Sequence, residues 1–306
     1  MSKRVAVLMG GISSEREVSL LSGAAVTDAL NSRGYEVLSI DVGQDLGAVI
    51  TALDPAPDAV FNALHGRYGE DGCFQGVLEL LSIPYTHSGV LASAIAMDKP
   101  MAKRLFKNVG IPCAEHVITS REEVLARDVI DQPYVVKPLN EGSSVGVQIV
   151  EFGTKGLSMA DPRWPMSDKV MVERFVPGRE ITVAVMGDRP LGVTELHTDK
   201  GFYDYDAKYT EGLTTHIVPA PLPQTIYATA MEYAVAAHNI LGCRGVTRAD
   251  LRYDDTQSDP GKLIMLEINT QPGMTPLSIV PEQAAHAGIE FGDLVSWMVE
   301  NAACEN

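Results

Sequence analysis

Four polar side chains near the end of the chain are spaced so that they can meet. Arg248 and Asp250 stand two apart in GVTRADLRYD, residues 245–254. Glu267 and Asn269 stand two apart at the end of KLIMLEIN, residues 262–269. Both runs read as strands, and strand side chains alternate faces, so each pair points one way. A turn rich in Asp, Ser, Pro and Gly, 254–261, separates the runs. If the strands pair across it, two carboxylates, an amide and a guanidinium share one sheet face. Asp250, Glu267 and Asn269 offer only hard oxygen donors. That set suits Mg²⁺, which takes one or two carboxylates and completes its sphere with water and phosphate oxygens.

Other stretches could serve a phosphate-bearing ligand. NEGSSVGV, 140–147, is a glycine loop between two β-branched strands, able to fold over phosphates or to be a plain hairpin turn. Lys137, at the end of YVVKP, would aim a cation at the same phosphates. KVMVERFVPGREITVAVMG, 169–187, holds two strands around Pro177-Gly178. An adenine fits such a segment, with Glu173 or Glu180 on its ribose or amine; a solvated charged turn is the plain alternative. GGISSERE places Glu15 at a helix start, where it repels phosphate and suits an ammonium, or merely complements the helix dipole. His65, in HGRYGEDG, is a candidate contact or a satisfied structural histidine. The stretch 197–215, HTDKGFYDYDAKYTEGLTT, has no clean period, and a loop of that length reads as a lid able to exclude water.

The elements that must carry these residues alternate strand and helix from the start. RVAVLMGG is a strand, 15–33 a helix, 35–41 and 58–66 further strands. The pattern predicts a parallel sheet covered on both faces, with ligands beyond the carboxyl ends of its strands. Residues 88–110 read as two helices broken around Asp98-Lys99-Pro100, a hinge into a second domain. Residues 224–241 form an alanine-rich helix, and GIEFGDLVSWMVENAA, from Gly288, a closing amphipathic one.

Length and composition narrow the class. The 306 residues exceed what one core usually carries, so two or three domains are expected. A net charge of −16 argues against nucleic acid, which needs a basic surface. The four cysteines, Cys73, Cys113, Cys243 and Cys304, form no C-x-x-C pair, which points to a reducing cytoplasm rather than a disulfide framework or a zinc site. No apolar run reaches the length of a membrane span or a signal-peptide core.

The motifs GGISSEREVSLLSG, ALHGRYGEDG, YTHSGVLASAIAMDK, VVKPLNEGSSVGV, FYDYDAKY, RADLRYD and LEINTQPGMTPLS occur in one order. Together they resemble the D-alanine–D-alanine ligases of the ATP-grasp superfamily, from end to end. The resemblance implies an α/β, three-domain ATP-grasp fold: an N-terminal doubly wound parallel-sheet domain at 1–97, a central small domain at 98–178, and a C-terminal domain at 179–306 holding the lid and the metal site. It implies Lys99, Lys137 and Lys208 on ATP phosphates. It implies adenine reading by Glu173, Arg174, Phe175 and Val176, with Glu180 on the ribose. Asp250, Glu267 and Asn269 match the ligands of two Mg²⁺ or Mn²⁺ ions, with Glu267 bridging. Glu15 matches the residue holding the first D-alanine's ammonium and anchoring a set with Ser143 and Tyr209, and His65 matches a neighbour of that alanine. Arg248 and the Gly273 amide resemble the oxyanion donors, and Ser278 the hydroxyl on the second substrate's carboxylate. Tyr209 goes with an amine acceptor, where phenylalanine goes with D-lactate. The expected reaction makes D-alanyl-D-alanine for peptidoglycan through an acyl phosphate, in a cytoplasmic homodimer. The nearest rival is another ATP-grasp carboxylate–amine ligase with a different amino acid. A regulator without turnover would be expected to lack a metal ligand or Arg248, and a dinucleotide oxidoreductase would need a G-x-G-x-x-G that GGISSERE lacks. Residues 151–168 and 254–261 resemble nothing specific.

Overall fold

The computed structural model describes residues 2–140, 142, 146–154, 168–198, 214–256 and 259–305. The first sheet is parallel, in the order β2-β1-β3, from β1 (Arg4–Gly10), β2 (Glu36–Val42) and β3 (Ala59–Asn62). The near-continuous apolar runs of β1 and β3 bury both of its faces. Val5, Val7 and Phe61 pack on one side with Val26 and Leu30 of α1 (Arg16–Ser32). Ala6, Leu8 and Val60 pack on the other with Val49 of α2 (Leu46–Ala52) and Phe74 and Leu78 of α3 (Cys73–Leu80). The third strand is shorter than its apolar run. After Asn62 the side chain turns the backbone, its Oδ1 accepting from the Leu64 amide at 3.2 Å.

The break at 98–100 is real and sharp. α4 (Val90–Met97) ends at Asp98, which also caps α5 (Lys99–Asn108) by accepting from the Met101 amide at 3.0 Å, with Pro100 in the first turn. The second sheet is antiparallel, in the order β4-β7-β5-β6. Its strands are β4 (His116–Ser120), β5 (Tyr134–Pro138), β6 (Gln148–Val150) and β7 (Lys169–Arg174). Val124 of the short α6 (Arg121–Ala126) packs with Tyr134, Val136, Val170 and Val172 to make its core.

The third sheet runs β10-β9-β8-β11-β12, all antiparallel. It comprises β8 (Arg179–Met186), β9 (Arg189–Thr198), β10 (Thr214–Ile217), β11 (Val246–Asp254) and β12 (Lys262–Asn269). The alanine-rich α7 (Gln224–Ile240) lies on it, Ala230, Ala234 and Ala237 fully buried against Val183, Ala249 and Leu251. The stretch read as a lid is narrower than 197–215: His197 and Thr198 pair with Thr215 and Thr214 as strand. Positions 199–213, with Lys208 and Tyr209, lie outside the described residues, as does Ser143 of the glycine loop.

The end of the chain holds two helices, α8 (Ile279–His286), which the sequence reading did not separate, and α9 (Phe291–Glu300). Leu294, Val295, Met298 and Val299 of α9 pack on Val5, Val7 and Phe61, so the last helix returns to cover the first sheet.

Candidate active site

The strands β11 and β12 pair in the register that the spacing implied: Asp250 opposite Glu267 and Arg248 opposite Asn269, with a bulge only after Asp250. Directly opposed residues on one face lie close enough to interact. Arg248 grips Asp250 with both arms, Nε donating to Oδ1 at 2.9 Å and Nη2 to Oδ2 at 2.7 Å. Thr182, opposite Asp250 on β8, adds its hydroxyl to Oδ1 at 2.7 Å. Lys99 Nζ stands 3.2 Å from Glu267 Oε2. Asn269 Oδ1 accepts the Gln271 amide at 2.7 Å, which fixes the turn after the strand. Each carboxylate of the set is thus held by a cation of the chain. Among the described residues, no group of three or more His, Cys, Asp or Glu side chains is arranged to hold a metal ion by itself. Two carboxylates and one amide oxygen form a weakly charged, hard donor set, and that fits Mg²⁺ or Mn²⁺ sharing phosphate oxygens rather than a closed protein cage.

One pocket joins these strands to the first domain. Glu15, His65, Glu70, Arg248, Glu267 and Asn269 line it, with Lys99 and Gly273. Glu15 is 5% exposed and, although it stands at the start of α1, its carboxylate makes no capping bond to that helix. Gly66 and Gly142 let backbone approach it: a Cβ at Gly66 would lie 2.7 Å from Glu15 Oε2, and one at Gly142 would lie 3.2 Å from it. The described edge of the glycine loop therefore stands against Glu15. A Cβ at Gly273 would lie 2.9 Å from the Ser278 hydroxyl. That hydroxyl accepts the Thr275 amide at 3.0 Å. Gly273 and the hydroxyl of Ser278 thus sit side by side.

Gln271 bolts the end of β12 to the first sheet. Its Oε1 accepts from Asn62 Nδ2 at 3.0 Å and Gln75 Nε2 at 3.2 Å, and its Nε2 donates to the Leu64 carbonyl. The Met274 amide donates to Ser22 Oγ at 3.2 Å, and the same hydroxyl stands 3.3 Å from His65 Nε2. Two loops distant in sequence are held at one place by buried, satisfied polar groups.

A second cluster lies on the central sheet. Glu173 is opposite Val135, so it shares a face with Lys137 two residues on. Its Oε1 is paired with Lys137 Nζ and its Oε2 with Lys103 Nζ. Glu173 is only 3% exposed, so this carboxylate, which the sequence offered to a ribose or an amine, is spent chiefly on two ammonium groups. Arg174 and Phe175 donate their amides to the Glu115 and Pro133 carbonyls at 2.9 and 3.1 Å. Arg252 braces the following turn, accepted by the Val176 and Gly178 carbonyls at 3.2 and 2.7 Å and paired with Glu180 at 3.3 Å.

Comparison with known proteins decides the family. The model described as D-ala D-ala ligase C-terminus matches residues 105–300, and that described as D-ala D-ala ligase N-terminus matches 4–52 and 48–88. The D-alanine–D-alanine ligase of Rhodospirillum rubrum is 60% identical over 306 residues, covering 100% of both chains. The chain belongs to the D-alanine–D-alanine ligase family. The Acidiphilium cryptum member is 58% identical over 302 residues, 99% of each chain. A crystal structure of the Bacillus anthracis ligase complexed with ATP superposes with a TM-score of 0.79 at 30% identity, covering 98% of this chain and 96% of that one.

Within this ligase fold, sequence reasoning missed Lys103, Glu70, Gln271, Thr182 and Arg252. Glu70, Arg252 and Gln271 lie inside the family motifs, but nothing local marks them. Burial, and then the charges of Glu15 and Glu267, push the Glu70 carboxyl well above the usual carboxylate range, against the pull of Lys99 and Arg248. Glu173 is held down at about 2 by Lys137 and Lys103, which outweigh its burial.

Burial also holds three histidines neutral: His65 falls to about 4, His87 to about 3 and His238 to about 4. The unfolded chain takes up protons below about pH 6.5 that the native chain refuses, so stability is full above that pH and is lost as pH falls toward 4. Each histidine contributes about 1.4 kcal/mol per pH unit in that window. Glu70 acts oppositely, because its raised value favours the fold at low pH, and Glu173 adds its loss only below about pH 4.5. Urea denaturation should show stability falling by about 2 to 4 kcal/mol between pH 7 and pH 5.5. A flat profile there would show that these imidazoles are charged in the native state.

Proposed function

We infer that this protein joins two D-alanines into D-alanyl-D-alanine at the expense of ATP, for the peptidoglycan precursor. One observation carries the reading. The predicted first-alanine residue Glu15, the metal residues Glu267 and Asn269 and the oxyanion arginine Arg248 line a single pocket, although they come from opposite ends of the chain.

A carboxylate is a poor acyl donor because oxide is a poor leaving group. Phosphorylation of the first alanine's carboxylate by ATP makes an acyl phosphate, and in-line transfer crowds anionic oxygens together. Lys99, Lys137 and Lys208 are assigned to that charge. Two Mg²⁺ or Mn²⁺ ions, held by Asp250, Glu267 and Asn269, would supply further charge neutralisation when bound. Residues 173–176 and Glu180 are assigned to the adenine and ribose. Glu15 holds the first alanine's ammonium, with His65, neutral, beside it. The second alanine, its carboxylate on Ser278, attacks the acyl carbon with its amine. Arg248 and the Gly273 amide receive the oxyanion, and departure of phosphate closes the peptide bond. Ser143 and Tyr209 are assigned to the set around Glu15, and the stretch 199–213 to a lid that excludes water.

The proposed division at 1–97, 98–178 and 179–306 is supported by three separate sheets, whose described strands span 4–62, 116–174 and 179–269. The helix at 291–300 belongs by packing to the first sheet. Among the described residues, no helix is long and apolar enough to cross a membrane. A cytoplasmic homodimer is the assembly the family resemblance suggests.

The test is phosphate release from Mg-ATP with D-alanine, L-alanine or D-lactate. D-alanine should stimulate release and L-alanine should not. Because Tyr209 goes with an amine acceptor, no D-alanyl-D-lactate should form. No stimulation by D-alanine would refute the assignment, and stimulation by a different amino acid would favour the related carboxylate–amine ligase.

A further inference from the structure

Lys103 is fully buried, an unusual place for an ammonium. It lies one helical turn after Lys99 on α5, on the same face. The two lysines reach different sheets. Lys99 meets Glu267 of β12, and Lys103 meets Glu173 of β7. One helix face thus sets the metal strand and the central sheet against each other.

Among the described residues the central-sheet cluster is unequal in charge: one carboxylate serves two ammonium groups. Each oxygen of Glu173 has one partner, Oε2 with Lys103 and Oε1 with Lys137. Lys103 therefore prevents Glu173 from giving both oxygens to Lys137. Without Lys103, carboxylate and Lys137 would close into a neutral pair, and Lys137 would turn from the nucleotide toward Glu173. With it, the cluster keeps a surplus positive charge that an anion can complete, since a buried charge is tolerated only when paired.

We propose that Lys103 is a positioning residue, which holds Glu173 by one oxygen so that the Lys137 ammonium stays available to the phosphates of ATP. The proposal rests on the assignment of Lys137 to those phosphates. Burial lowers the Lys103 pKa and the Glu173 charge raises it, so the lysine depends on the carboxylate as much as the carboxylate on it.

The test measures KM for ATP and for D-alanine, and inhibition by adenosine, on the full chain. Lys103→Met should raise KM for ATP by roughly tenfold to a hundredfold, the range of one charge-assisted hydrogen bond. KM for D-alanine should stay within about twofold, and the adenosine inhibition constant should rise less than KM for ATP, because adenosine carries no phosphate and reports only the contacts assigned to residues 173–176. In a Glu173→Gln background, Lys103→Met should add no further loss, because the lysine acts through that carboxylate. Equal weakening of adenosine and ATP, or additive losses in the double variant, would overturn the proposal. Lys137→Met separates the two assignments. If it binds ATP normally, the phosphate role of Lys137 fails; if it loses ATP and Lys103→Met does not, only the role of Lys103 fails. Lys103→Gln keeps a donor for Oε2 without the charge, and carries the same comparison should the Met variant not fold.

Discussion

Glu267→Gln should lower turnover on the order of 10³-fold, about 4 kcal/mol of activation free energy, while the melting temperature moves by no more than about 3 °C. The side chains differ by one oxygen replaced by NH₂, so shape is kept and charge is lost. Glu267 faces Asp250 across the strands, and at 26% side-chain exposure it is wet enough that its pair with Lys99 adds little to stability. Its carboxylate matters to the site's charge. It is one of the two anions that push the Glu70 carboxyl upward, and it is the assigned bridging ligand. Steady-state phosphate release and differential scanning calorimetry on one preparation check both halves. Near-normal turnover would refute the two-metal assignment, and a large fall in melting temperature would make Glu267 structural.

The second large effect is at Arg248. Arg248→Met should reduce kcat by about 10²–10³, the usual loss for one preorganised oxyanion donor. Arg248→Lys should recover little, because a lysine cannot reproduce the planar fork that grips both Asp250 oxygens. Two roles are entangled here, since Arg248 also neutralises an assigned metal ligand. Mn²⁺ binding, read by its paramagnetic resonance signal, separates them. Removing the guanidinium leaves Asp250 with the Thr182 hydroxyl and an uncompensated charge, so Mn²⁺ affinity should hold or tighten while turnover falls. A loss of Mn²⁺ affinity that tracks the loss of turnover would mean that Arg248 serves the metal site alone.

These two residues were legible in the chain because their geometry is local. A strand repeats every second residue, so Arg248 with Asp250, and Glu267 with Asn269, needed only the pairing of neighbouring strands to converge. Asp98 and Pro100 announced the helix break for a similar reason, since a cap and a prolyl first turn act within four residues. The family motifs extended that reading to Glu15, His65, Gly273 and Ser278. Local pattern served less well where long-range packing overrides it. The run after β3 looked like continued strand, yet Asn62 turns it to reach Gln271, 209 residues away.

What the sequence determined by itself is which groups this protein owns and how they are spaced: hard oxygen donors on two strands, a glycine loop, lysines at strand and helix ends, and three sets of apolar runs with the right periods. The tertiary structure decided which of those groups are charged, buried or paired. Lys103 in KPMAKRLFKN reads as one more solvated helical lysine, and only the packing of α5 between two sheets buries it against Glu173, 70 residues on. Glu70 is an ordinary acid until the fold buries it and brings Glu15 and Glu267 beside it. The amphipathic α9 shows that it has a face to bury but not that the first sheet will receive it. The physical reason is one of range. Periodicity, capping and turn chemistry act over a few residues and are written along the chain. Desolvation and Coulomb interaction act through space, and their size depends on neighbours that only the folded chain brings together.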